Sequence, residues 1–385
     1  MKQFYLSLLL SLSCISASVL HGVTVAARTA PVALIQAQEY VVSDSLPDEM
    51  TVETVFGPLH ISEPVLIELF HHPVIARMKE IDQHGPPTYF IGRKTFSRYD
   101  HCVGVFALLR MHNRPLDEQV AGLLHDASHT ILSHVADHLF KTGNQHAYQD
   151  MIHNWYLQKM GVGSLLERHN LTIEAINPDQ PTYVALEQKH PRLCADRIQY
   201  ILNTGLVLKR ITKEQMDDIL SSLHFADNNW FFSNQKHARL LADISVYCTE
   251  HVWSAPEELA WRHWICSALQ QAIALDLISS DDIHFGIDTQ ILEILNNSTD
   301  PHIKDMMEKC YHAKNHFTKV VSGAKYDLVD YPKIRAVDPL VKLKGEDTAT
   351  PLMQRDEEYR AQVEALRTRL SGGVKIKLLT DKVAA

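Results

Sequence analysis

The amino-acid sequence predicts a mainly α protein that ends in a small mixed α/β C-terminal region. Apolar residues recur at helical spacing over most of the chain, while strand-like alternation is limited to a short region around Thr51 to Ile61 and to the VKIKLL segment that starts at Val374. Proline and glycine punctuate the helical patterns at Pro73, Gly85-Pro86-Pro87, Pro115 and Pro256, where helices are expected to start or stop.

In chain order, Glu63 opens a helical pattern that runs through His72, and Pro73 restarts it, because proline is tolerated in a first turn and disfavoured inside a helix. Val74, Ile75, Met78 and Ile81 keep the spacing until Gly85-Pro86-Pro87 ends it. The next helix carries His101, Val105, Leu108 and Leu109, and another runs from Pro115 to His125 with Val120, Leu123 and Leu124 inward. On one continuous helix His125 and His129 would share a face, whereas His134 would point the opposite way. A break near Asp126 to Ser128 is therefore expected, with Ser128 or Asp126 capping the helix that follows. Such a break lets all three histidines converge.

Helical patterns continue over 150–159, 192–203, 213–223, 234–251 and 256–277, and no repeat, heptad run or low-complexity block appears. Beyond about Lys314 the texture changes to short apolar segments and scattered prolines. A last helix is expected over 355–370, and Ser371-Gly372-Gly373 leads from it into the final strand. The expected organisation is a leader over 1–27, an N-terminal extension over 28–55, a helical core over 56–313 and a mixed region over 314–385.

With 385 residues, 45% hydrophobic and 22% charged, the chain can bury a substantial core as a soluble globular protein. Its formal net charge of -9 argues against broad affinity for nucleic acid or anionic membranes and leaves room for a local basic groove that holds small anionic substrates. The first 27 residues read as a secretory signal peptide, cut after Ala27 or after Ser18, which implies export to the periplasm or the extracellular space. Their thin positive region leaves a membrane anchor or a nonexported, cytoplasmic extension as the alternative. Six cysteines form no CxxC pair, and the odd five that follow the leader suggest no disulfide framework. Reduced thiols would be more natural in cytoplasm, which pulls against the leader.

The chemistry is concentrated in LLHDASHTILSHVADH, from Leu123 to His138. His125 and Asp126 are adjacent, with His129 and His134 close behind. His101, in RYDHCVGV, and Asp196, in RLCADRIQYIL, complete an ordered H…HD…D set. Imidazole nitrogens and carboxylate oxygens suit a divalent manganese, iron, magnesium, nickel or zinc ion. Four ligands leave coordination positions free for water and substrate, as a catalytic metal requires. Among 23 histidines some fall in pairs by chance, and His112, His138 and His153, taken singly, read as ordinary surface or core residues. The four-ligand set does not, because isolated buried carboxylates are costly unless paired or metal-bound.

This pattern resembles the HD-domain phosphohydrolase superfamily, and HDxxHxxxSH, from His125 to His134, is similar to the branch of the deoxynucleoside triphosphate triphosphohydrolases. The resemblance runs from about Phe56 to Val207, with a weaker one at KIRAVDPLV, Lys333 to Val341. It implies an HD-domain helical core in which His101, His125, Asp126 and Asp196 hold the metal. It further implies phosphate contacts from His129 and His134, and an acid-base pair of His146 with Asp137 beside the leaving oxygen, for which a histidine titrating near neutrality is suited. Gln83 and Tyr200 match positions near a sugar; a helix-end hydrogen bond and a core packing role are their plain alternatives. Arg98, three residues before His101, is placed either to clamp phosphate with its planar fork or to make a surface salt bridge.

The departures bear on substrate. Where related triphosphohydrolases often read DRxDY followed by Arg-Asp, this chain has Asp196-Arg197-Ile198-Gln199-Tyr200 and then Asn203-Thr204, so Thr204 replaces an aspartate that helps to hold the sugar hydroxyl. The implied reaction is metal-dependent hydrolysis of a phosphorylated substrate, a nucleotide with a deoxynucleoside triphosphate first. The alternatives are a phosphodiesterase or phosphatase on another phosphoester, and a metal- or nucleotide-binding regulatory protein without turnover. Oligomeric relatives make a homo-oligomer a further expectation. Export conflicts with the substrate, because an exported enzyme would meet few nucleotides.

Overall fold

The computed structural model describes residues 30–41, 46–93, 95–140, 148–320 and 323–379. The leader over 1–27, Cys14 and His146 all lie outside the described residues. Among the described residues no helix is long and apolar enough to cross a membrane.

The central helix, Arg98–Met111, begins at a capping box: Ser97 Oγ accepts from the Asp100 N–H, and the Asp100 carboxylate accepts from the Ser97 N–H at 2.9 Å. Two N–H groups that a helix start leaves orphaned are thereby satisfied. Every residue from His101 to Leu109 is buried, as expected of a helix that other helices surround. Leu116–Leu124 and Ala195–Val207 pack directly on it. A second apolar cluster gathers around the long Pro256–Ala274 helix, through Trp261, Trp264 and Ile265, and is joined by Leu132 and Val135 from the motif segment.

The small sheets differ in detail from the sequence reading. The strand-like region around Thr51 to Ile61 is a hairpin, Met50–Thr54 against Gly57–Ile61. Gly85-Pro86-Pro87 ends one helical pattern and also starts a short helix, Pro86–Ile91, with proline in its first turn, where a missing N–H costs nothing. The 213–223 pattern stops at Ser221 and passes into an antiparallel pair, Leu223–Ala226 with Asn229–Phe232. That pair is continued by Leu340–Val341 and Thr350–Pro351. The last strand, Val374–Leu378, lies between Phe317–Lys319 and Leu328–Asp330. Residues beyond Lys314 therefore build onto the helical body.

The break after His125 is present, but neither Asp126 nor Ser128 caps the next helix. Val135–Leu139 starts at His134 without a side-chain cap. Asp126 turns toward the other motif residues, and Ser128 Oγ instead meets Gln149 Oε1 at 2.9 Å and His153 Nδ1 at 3.0 Å.

One helix start makes a pH-dependent contribution. His72 is 1% exposed and caps Pro73–Met78, its Nδ1 accepting from the Val74 N–H at 3.2 Å, a bond that needs the unprotonated ring. Burial pushes its pKa down to about 4 against the opposing pull of Glu68. The unfolded chain takes up the proton first, near pH 6.5, so this contribution is complete above that pH and is lost as pH falls toward 4. The stability difference between the parent and His72→Asn, measured by denaturant unfolding, is expected to shrink by roughly 2–3 kcal/mol from pH 7 to pH 4. A difference that stays constant would refute this account.

Candidate metal centre and its cavity

His101 projects from the first turns of Arg98–Met111, His125 and Asp126 follow the end of Leu116–Leu124, and Asp196 lies in the first turn of Ala195–Val207. The packing of these three helices brings the four side chains together. His101 Nε2 is 3.1 Å from His125 Nε2, 3.4 Å from Asp126 Oδ2 and 3.0 Å from Asp196 Oδ1; His125 Nε2 is 3.7 Å from both carboxylates. Atoms about 2.0–2.2 Å from a shared cation lie roughly 3–3.6 Å from one another, so His101, His125 and Asp126 are spaced for one ion, with Asp196 joined to them through the two imidazoles.

The other ring nitrogens say which way the lone pairs point. His125 Nδ1–H donates to the Gly122 carbonyl at 2.8 Å, and His101 Nδ1–H donates to Gln199 Oε1. In the neutral rings each Nε2 therefore carries a lone pair, and the two pairs face each other. Such an arrangement repels unless a proton or a cation lies between them. Burial penalises a charged His125, yet the Asp126 carboxylate raises its pKa well above the ordinary value. Burial likewise opposes ionisation of Asp126, yet Arg98 first and His125 next hold its pKa well below the usual range, and the two imidazoles do the same for Asp196. The donor set fits a divalent metal. Glu187 and Cys194 also approach Asp196, but burial pushes the Cys194 pKa far up and keeps it a thiol, which is a poor ligand.

Gln199 escaped the sequence reading as a supporting residue. It is fully buried, and it reaches His101 because Gly104 leaves room: a Cβ there would come within 2.6 Å of Gln199 Nε2. Outer partners of this kind fix ligand orientation. Gln199→Leu is expected to weaken metal binding about tenfold to a hundredfold in a metal titration. Unchanged affinity would remove Gln199 from this role.

Arg98 is 2% exposed and its three nitrogens are engaged: Nη1 on Asp126, Nε on Ser133 Oγ at 3.0 Å and Nη2 on the Gln83 carbonyl at 3.3 Å. His129 stands 3.3 Å from Asp126 Oδ1, and burial with the Arg98 charge pushes its pKa down to about 3, so it is neutral near pH 7. The His129 and His134 rings meet edge to face at 5.0 Å, and His134 Nδ1 lies 3.3 Å from Asp137 Oδ2. Asp137 also accepts from the Tyr148 N–H at 2.6 Å.

His134 is re-aimed by a strained turn, for Leu132 and Ser133 both have positive φ, 53° and 57°. The turn is held by Asp288, whose Oδ1 accepts from the Leu132 N–H at 2.6 Å, and by Gly85, where a Cβ would meet the Leu132 carbonyl oxygen at 2.6 Å. Gly85 itself has φ +70°, a conformation that favours glycine.

Beside this centre lies a cavity of about 490 Å³ where the two apolar clusters meet. Gln83, His134, Asp137, Tyr200 and Thr204 line it. Among the described residues the buried Gln83 Oε1 atom has no partner, nor has Nδ1 of the neighbouring His84, whose Nε2 lies 3.2 Å from Thr204 Oγ1. Tyr200 is 6.5 Å from the His101 ring and meets Trp253 edge to face at 5.3 Å.

The same architecture occurs in the crystal structure of a phosphohydrolase from Bacteroides thetaiotaomicron, with a TM-score of 0.62 and 14% identity over 85% of this chain and 98% of that one. The two share a fold. In sequence the chain is similar to the uncharacterized protein YdhJ of Bacillus subtilis, 28% identical over 330 residues that cover 85% of this chain and 98% of the relative. It is also similar to the metal-dependent phosphohydrolase cns2 of Cordyceps militaris, 27% identical over 310 residues that cover 78% of this chain and 87% of the relative. No family model matches the chain.

Proposed function

We propose that this chain is a metal-dependent phosphohydrolase of the HD superfamily and that its substrate is a nucleotide, with deoxynucleoside triphosphates the first to try. The convergence of His101, His125, Asp126 and Asp196 beside a cavity of substrate size carries this reading. Similarity to a relative named as a metal-dependent phosphohydrolase supports the reaction class. A divalent cation held there would polarise a phosphoryl oxygen and lower the pKa of the attacking water.

The chain's own residues supply the rest. Arg98 keeps Asp126 ionised and fixed, and Gln199 holds His101 with its Nε2 lone pair inward. Neutral His129 offers a hydrogen bond beside Asp126, where phosphate oxygens would approach. Asp137 orients His134 through Nδ1, leaving Nε2 to meet a phosphate oxygen, and Gln83 Oε1, which has no partner among the described residues, offers an acceptor to a sugar hydroxyl.

The test is the identity of the product released by metallated protein from a panel of nucleotides and other phosphoesters. Triphosphate from deoxynucleotides is the expected result. Phosphate alone, from other esters, would move the chain to a phosphatase or phosphodiesterase role. Silence across the panel from fully metallated protein would favour a binding protein instead.

A further inference from the structure

The outer wall of the cavity is the segment 330–335, which leads from the Leu328–Asp330 strand toward Leu340–Val341. Its end is firmly anchored. Ala336 and Val337 are buried, the Val337 N–H donates to Ser245 Oγ at 3.1 Å, the Tyr359 hydroxyl donates to the Val337 carbonyl, and the Asp338 N–H donates to the Pro191 carbonyl at 2.9 Å. Half-buried Arg335 therefore leaves a rigid base, with its guanidinium carbon 6.0 Å from the centre of the Trp253 ring. The contact path from His101 to Arg335 passes through two rings, Tyr200 and Trp253.

The cavity lining carries three carboxylates, Asp137, Glu258 and Asp330, and three cations, Arg262, Lys333 and Arg335, but their pairing is uneven. Asp330 pairs with Arg262, Glu258 pairs with Arg93 at 3.4 Å, and Asp137 is taken up by His134 and the Tyr148 N–H. Among the described residues neither Lys333 nor Arg335, both on the wall, has an ion-pair partner. Lys333 and Arg335 are therefore the lining cations left to meet an anion that enters the cavity. Arg98 does not offer this service, because its nitrogens are already engaged around Asp126.

Resting on the phosphohydrolase reading, we propose that Lys333 and Arg335 bind a second anionic group of the substrate, apart from the phosphoryl at the metal centre, and so select molecules that carry a chain of phosphates. Arg335 supplies a planar fork that grips two phosphate oxygens, held against Trp253. Lys333, more exposed, supplies a point charge at the rim.

Calorimetric titration of the metal-loaded protein with inorganic triphosphate and with inorganic monophosphate tests the assignment. Arg335→Ala is expected to weaken triphosphate binding by about tenfold or more and Lys333→Ala by less, with monophosphate affinity and metal content unchanged. Arg335→Lys, which keeps the charge, should recover part of the loss; it and Lys333→Ala also carry the test if Arg335→Ala fails to fold. Equal losses for the two ions, or none in the double variant, would overturn the proposal. If a substrate is hydrolysed and the double variant keeps its KM, this assignment falls and the phosphohydrolase reading stands. Arg335-dependent binding of triphosphate without hydrolysis of any phosphorylated compound gives the opposite result.

Discussion

Asp126→Ala is expected to abolish stoichiometric metal retention and to lower hydrolysis on the order of a thousandfold or more, the equivalent of about 4 kcal/mol of lost transition-state stabilisation. Asp126 earns this rank by position. Its two oxygens stand within 4 Å of Arg98, His101, His125 and His129, so its loss removes one candidate ligand and the carboxylate that the others surround. Arg98 would be left buried without its carboxylate, which costs stability as well. Asp126→Asn separates the two effects, because it keeps an acceptor for Arg98 while removing the charge. Metal content by mass spectrometry, beside turnover and thermal unfolding, reads all three. A metal-replete, active Asp126→Ala protein would remove the metal assignment.

Arg98→Met should have the other large effect, and its size should depend on metal. In metal-free protein the substitution leaves the Asp126 carboxylate, 6% exposed, without its principal cation, a change that costs about 3–5 kcal/mol. When a divalent ion is bound it meets the same charge, so the cost falls. Denaturant unfolding in chelator and in excess metal is expected to show a wide gap between parent and variant in the first condition and a narrow one in the second. Equal gaps would mean that Arg98 and the metal do not act on a common carboxylate.

Much of the helical body was legible because its signals are local. Ser97 with Asp100, the prolines at 73, 115 and 256, and the apolar spacing around Val105 and Leu108 mark elements without any tertiary information. The two helices Asp288–Asn297 and Pro301–Tyr311 carry similar signals, including Asp300 as a cap on the second, but were not picked out. The candidate ligands could be read as an ordered set, and the helix packing brings each of the two carboxylates within 4 Å of both imidazoles.

What lay beyond the sequence depends on partners far along the chain. Gln199 meets a residue 98 positions away, and Asp288 holds a backbone N–H 156 positions away. No local pattern announces that Leu132 and Ser133 take positive φ, because glycine is absent there; the glycine that permits the turn is Gly85, on a different segment. Arg98 illustrates the same limit: its spacing from His101 was visible, but its burial was not.

The candidate metal ligands all come from the stretch between His101 and Asp196, whereas Trp253, Arg262 and the 330–335 segment supply the opposite side of the cavity. The wall that carries Lys333 and Arg335 is thus encoded apart from the candidate ligands, while Gln83, Tyr200 and Thr204 of the earlier part share the lining with it. Substitutions in the later part can therefore reshape one side of the cavity without touching His101, His125, Asp126 or Asp196, so the two halves of the site are separable by mutation.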